Sequence, residues 1–182
     1  NLLMTATPLA MLCTGQPFDA TATVIQWHLV AMFAPSFLTG SLVGRIGALR
    51  VMLIGALISL AAIALALAGD SYAHFQWSLV GVGLGWNLLY VGATTLLAEH
   101  WRAEEKGRVQ AVNDSLAFVG VTLATLGAAP LVDYLGWSVV NGWAAVPLLL
   151  MVIALGRALQ RRAGLVRAAL AYRSPLYDLM FV

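Results

Sequence analysis

The stretch Leu49–Ala68, LRVMLIGALISLAAIALALA, decides the fold class. Beyond Arg50 its only polar side chain is Ser59. A hydrocarbon core of about 30 Å is crossed by about 20 helical residues. A backbone placed there must satisfy its own hydrogen bonds, which a helix does within one segment. Working outward, the same reading predicts a shortened apolar segment over Asn1–Cys13, then spans over Thr21–Val43, Leu49–Ala68, Phe75–Ala98, Val109–Val132 and Ser138–Leu155. None alternates with a period of two, so membrane strands are not expected.

Composition agrees. Of 182 residues, 61% are apolar and 10% charged, against about 25% charged in soluble domains. So little charge does not cover a water-soluble globule. The charges also segregate. The connections after the second and fourth segments hold Arg45, Arg50, Arg102, Lys106 and Arg108, and the end of the chain holds Arg157, Arg161, Arg162, Arg167 and Arg173. The alternate connections carry Asp19, Asp70 and Asp133 and no base. All 10 basic residues therefore fall on one side, and the excess of Lys and Arg in cytoplasmic loops makes that side cytoplasmic. Tyr72, Trp77, Tyr134 and Trp137 are expected at the outer interface and Trp101 at the inner one. The expected organisation is a transmembrane bundle over 1–157, with its first helix truncated, and a basic cytoplasmic tail over 158–182. That tail either lies on the anionic inner leaflet or is solvated. The chain opens on Asn1, so it is expected to begin inside a longer product or to be processed, and no signal peptide is apparent.

Polar groups inside a bilayer are costly and usually face a cavity or a partner helix. Here they are Thr5 and Thr7 beside Pro8; Gln26, Trp27, His28, Pro35 and Ser36; Trp86, Asn87, Tyr90, Thr94 and Thr95; Gln110, Asn113, Asp114 and Ser115; and Asn141. Segments one, two, four and five are thus expected to line a cavity, with three and six as lipid-facing supports. Three helices followed by three is the pattern of an internal repeat. Gly83, Asn87, Tyr90 and Thr94 share one helical face, read either as a substrate stripe or as interhelical glue. His28 is read as a proton-coupling group or as a neutral histidine bonded to a neighbouring helix. Asp114 is expected to pair with a loop cation such as Arg45 and lock a cytoplasmic gate; a proton site and a helix cap are the alternatives.

Other chemistry is thin. Gly81, Gly83 and Gly85 form G-x-G-x-G inside an apolar helix, without the strand that a dinucleotide site needs. Gly40 and Gly44 form G-x-x-x-G, a spacing that allows close helix contact and also arises by chance. Cys13 is single. No metal-ligand spacing, catalytic constellation, cofactor motif or nucleic-acid signature is found, so no enzyme, metal or cofactor is expected.

The stretch GSLVGRIGALR, Gly40–Arg50, resembles the loop signature of major facilitator transporters, G-x-L-x-D-R-x-G-R-R. Gly40, Leu42, Arg45, Gly47 and Arg50 match, while Gly44 replaces the acid, as is common in the weaker C-terminal copy. MTATPLAM (Met4–Met11), VIQWHLVAMFAPSFLTG (Val24–Gly40), GLGWNLLYVGATTLL (Gly83–Leu97) and EEKGRVQAVNDSLAF (Glu104–Phe118) resemble the C-terminal half of a bacterial subgroup. The resemblance covers about Asn1 to Leu155. It implies an all-α integral membrane fold, a six-helix bundle built as a 3+3 repeat, equivalent to helices seven to twelve of a twelve-helix fold. It also implies that an N-terminal six-helix half supplies the rest of a central cavity.

The expected function is secondary transport of a small solute by alternating access, coupled to protons, in the inner membrane. Thr5, Thr7, Gln26, His28, Asn87, Tyr90 and Thr94 are the expected solute contacts, and His28, Arg45, Arg108 and Asp114 the coupling or gate groups. The rivals are a half-size homodimeric carrier and a non-transporting scaffold or sensor on the same fold.

Overall fold

The computed structural model describes residues 2–101 and 103–179. Among these there is no strand. The helices are α1 (Leu2–Cys13), α2 (Phe18–Phe33), α3 (Ser36–Ile46), α4 (Ala48–Ala68), α5 (Tyr72–His100), α6 (Ala103–Leu135) and α7 (Trp137–Leu179). Five stretches are long and apolar enough to cross a membrane: Phe18–Ile46, Ala48–Ala68, Tyr72–Glu99, Glu104–Leu135 and Trp137–Leu165. α1 is apolar but shorter, at 12 residues.

Two differences from the sequence reading have local causes. The second span is broken into α2 and α3 at Ala34–Pro35. Proline has no backbone N–H and its ring crowds the carbonyl one turn back. The last span shows no break near Arg157, because α7 runs on to Leu179. Nothing between Arg157 and Leu179 ends it: the apolar run stops, but local backbone bonding does not require apolar side chains. The fate of 180–182 lies outside the described residues. At the α3–α4 junction Gly47 has φ +86°, a backbone that L side chains rarely adopt. Its N–H closes α3 on the Val43 carbonyl at 2.9 Å, and α4 starts at the next residue.

α4 and α5 approach closely because their facing residues are small. A Cβ on Gly55 would lie 2.8 Å from the Gly85 carbonyl oxygen, and one on Gly81 would lie 2.8 Å from Ala62 Cβ. Small residues permit such backbone contact between membrane helices. Gly83 faces the other neighbour, its would-be Cβ 2.7 Å from the His28 carbonyl oxygen on α2. The G-x-G-x-G run is therefore a double packing surface. Among the described residues nothing lies within 4 Å of a Cβ built on Gly40 or Gly44, so their G-x-x-x-G spacing is not used for a close helix contact there.

The apolar core lies beside α1. Ala10 and Met11 pack with Val24, Phe75 and Leu79, and Leu3 and Ala6 with Ile63 and Val140. The supposed supports are better packed than expected. α4 buries residues along its whole length, from Ala48 to Ala66, and Asn141 of α7 is wholly buried. α6 is the opposite: Val112, Leu116, Phe118, Leu123 and Leu126 are all exposed.

Candidate functional site

The site grows from the proline break. A helix end leaves carbonyls without partners, and in a bilayer neighbouring side chains must supply them. At the end of α2 the Met32 carbonyl accepts from Asn87 Nδ2 of α5 at 2.7 Å. The same amide donates to Ser36 Oγ at 2.6 Å. Asn87 Oδ1 accepts from Thr39 Oγ1 at 2.6 Å, with the Pro35 carbonyl 3.0 Å from that hydroxyl as its alternative acceptor. One buried asparagine thus holds both sides of the break.

Next to Asn87 and about one turn beyond it on α5, an aromatic group forms against the same break. Trp86 and Tyr90 stack at 4.8 Å between ring centroids with 9° between planes. Phe33, the last residue of α2, meets Trp86 edge-on at 6.1 Å and 69°. Phe33 is 58% and Tyr90 39% exposed. Trp86 lies one turn beyond Val82, which packs against the cluster of Leu3, Ala6, Ile63 and Val140.

Several expected solute contacts are instead internal. His28 is buried, and its Nδ1 donates to the Leu79 carbonyl at 2.7 Å, joining α2 to α5. Thr7 is buried and bonds the Leu3 carbonyl at 2.7 Å. Asn87 is 1% exposed. Thr7 bonds a carbonyl of its own helix, while Asn87 and one ring nitrogen of His28 join α5 to α2. Gln26 is exposed and Thr5 half-buried. Thr94 is half-buried, and its hydroxyl bonds the Tyr90 carbonyl of its own helix at 2.9 Å.

The gate pair is not formed. Asp114 Oδ1 accepts from Gln110 Nε2 at 2.8 Å and from Asn113 Nδ2 at 3.2 Å, all on α6. Arg45 and Arg108 are exposed. α3 packs on α4 and α5, α6 packs chiefly on α1, and among the described residues Arg45 has no ion pair with an acid. Phe33 and Thr39 were not anticipated at all. The four-residue spacing of Trp86 and Tyr90, set against Pro35 in mid-span, was the available signal for the aromatic group.

The sequence profile of the Major Facilitator Superfamily matches residues 1–175. The chain belongs to this family. Among curated relatives, it is 36% identical over 153 residues to the riboflavin transporter RfnT of Brucella anthropi, covering 84% of this chain and 38% of that protein. It is 30% identical over 156 residues to the uncharacterized MFS-type transporter YdeG of Bacillus subtilis, covering 83% of this chain and 36% of that one. YddS, another uncharacterized MFS-type transporter of Bacillus subtilis, is 33% identical over 129 residues, with 70% and 28% covered. The chain thus spans 28–38% of the length of these relatives. As a Major Facilitator Superfamily chain it is a multi-pass membrane protein of a transporter family and not an enzyme.

Proposed function

We propose that this chain forms the C-terminal six-helix half of a carrier that moves a small, planar aromatic solute across the inner membrane by alternating access. The observation that carries the reading is the Trp86–Tyr90 stack, with Tyr90 partly exposed beside the helix break. Aromatic side chains favour offset stacking with other rings. A pair already parallel, and braced by Phe33, offers such a ring a preformed surface without the cost of ordering it. The relative that is a riboflavin transporter supports a solute of that kind, since the riboflavin ring system is planar and heteroaromatic. Gln26, Thr5 and Thr94 supply polar contacts around it. Asn87 and His28 act as positioning residues that hold α2, α3 and α5 in register.

Proton coupling belongs to Asp114 in this reading. It is the acid within a span whose side chain is half-buried and held by neutral amides, not by a cation. Arg45 and Arg108 mark the cytoplasmic face, and Arg45 becomes a gate partner in another state of the transport cycle. The exposed polar and apolar residues of α6 face the other half of the carrier.

Uptake of labelled riboflavin by cells carrying the complete gene tests this. Saturable uptake that planar flavin analogues compete, and that Trp86→Ala depresses, is the expected result. Riboflavin uptake unaffected by Trp86→Ala and Tyr90→Ala would overturn the stacking surface. Absence of any flavin uptake would overturn the solute class.

A further inference from the structure

A cleft separate from the aromatic group lies where α4 begins, beside α7. It encloses about 420 Å³ between Ile46, Gly47, Leu49 and Arg50 on one side and Leu159 and Arg162 on the other. Both arginines are exposed, and neither has an ion-pair partner among the described residues. Arg162 shares a face of α7 with Leu159 and Leu155, by spacings of three and four, and Leu155 is buried in the bundle. Arg50 begins a stripe down α4 through Ile54, Leu57 and Leu65, each exposed.

We propose that this cleft binds the headgroup of an anionic phospholipid, with an acyl chain lying along the α4 stripe. Two unpaired guanidinium groups match a phosphate, which they can contact through paired N–H donors. The groove is apolar below and cationic above, as a lipid is apolar below and anionic above. Basic pockets between membrane helices at the positively charged side take such headgroups. The inference needs only that the chain spans a membrane and does not depend on what solute is carried.

The purified full chain, released from detergent with equal amounts of phosphatidylglycerol and phosphatidylcholine of matched acyl chains, tests this by native mass spectrometry. A preference for phosphatidylglycerol of about 30-fold is expected from two arginines, lost in Arg50→Gln/Arg162→Gln. Arg157→Gln/Arg161→Gln removes the same charge outside the cleft lining and is expected to keep the preference. If the first double variant does not purify as a helical chain, Arg162→Gln alone is expected to cut the preference about 5-fold. Equal retention of the two lipids, an unchanged preference in the cleft variants, or an equal loss in the Arg157/Arg161 control overturns the site. Displacement of the lipid by millimolar glycerol phosphate would make it a site for soluble phosphate and overturn the lipid assignment.

Discussion

Asn87 Nδ2 lies 2.7 Å from the Met32 carbonyl oxygen, and so the side chain of one helix closes the hydrogen-bond gap in another. The gap exists because Pro35 cannot continue α2, and the asparagine also holds Ser36 and Thr39 on the far side of it. Asn87→Ala would leave a buried carbonyl and two hydroxyls with less satisfaction. The expected loss is about 1–3 kcal/mol of stability, seen as a lower thermal unfolding midpoint in detergent. An unchanged midpoint would show that the break does not need its pin.

In the proposed carrier His28 holds helices in register and Asp114 carries the coupling proton. His28→Asn retains an amide N–H able to approach the Leu79 carbonyl, so proton-driven uptake by the complete carrier is expected to keep its pH profile. Asp114→Asn removes the ionisable group and is expected to abolish acceleration by an imposed pH gradient while leaving exchange of solute across the membrane. A pH profile that moves with His28→Asn and not with Asp114→Asn would reverse the two roles.

Tyr90 contributes a ring, not a hydroxyl, to the stack with Trp86. Tyr90→Phe is expected to leave the KM for riboflavin uptake near that of the parent. Tyr90→Ala, which removes about 0.5–1.5 kcal/mol of aromatic pairing, is expected to raise it about 2- to 10-fold. Equal effects from both variants would assign the contact to the hydroxyl.

The glycines divide into two classes. Gly55→Leu would drive a side chain into the Gly85 carbonyl and Leu88, where even a Cβ is 2.8 Å away. A loss of about 1–3 kcal/mol is expected from such overpacking. Gly44→Ala meets nothing within 4 Å and is expected to stabilise α3 by about 0.5–1 kcal/mol through helix propensity. Thermal unfolding of the two variants side by side measures both signs.

Gly47→Ala tests the turn. No neighbour blocks a Cβ there, but φ is +86°, and a non-glycine residue with positive φ costs about 1–2 kcal/mol. The same unfolding assay reads that loss, and the absence of a loss would mean that the turn readjusts.

The sequence alone determined that the chain crosses a membrane, roughly where each span lies, and which ends carry the bases. Those properties are local: run length, backbone self-sufficiency and charge between runs follow from neighbouring residues. The loop signature at Gly40–Arg50 likewise sufficed for the family resemblance. What tertiary structure decided was which polar groups are spent on holding helices together. Asn87, Tyr90 and Thr94 share a face by spacing, yet Asn87 is pinned inside by residues 55, 51 and 48 positions away, while Tyr90 stays partly exposed. For His28 only the fold shows that one ring nitrogen is bonded to a carbonyl 51 residues on. Gly40 and Gly44 have the spacing of a packing motif and approach no described neighbour closely, whereas Gly81 and Gly85 pack on α4 and Gly83 on α2. A helical period fixes which residues share a side of one helix, but only the arrangement of the other helices fixes what that side meets.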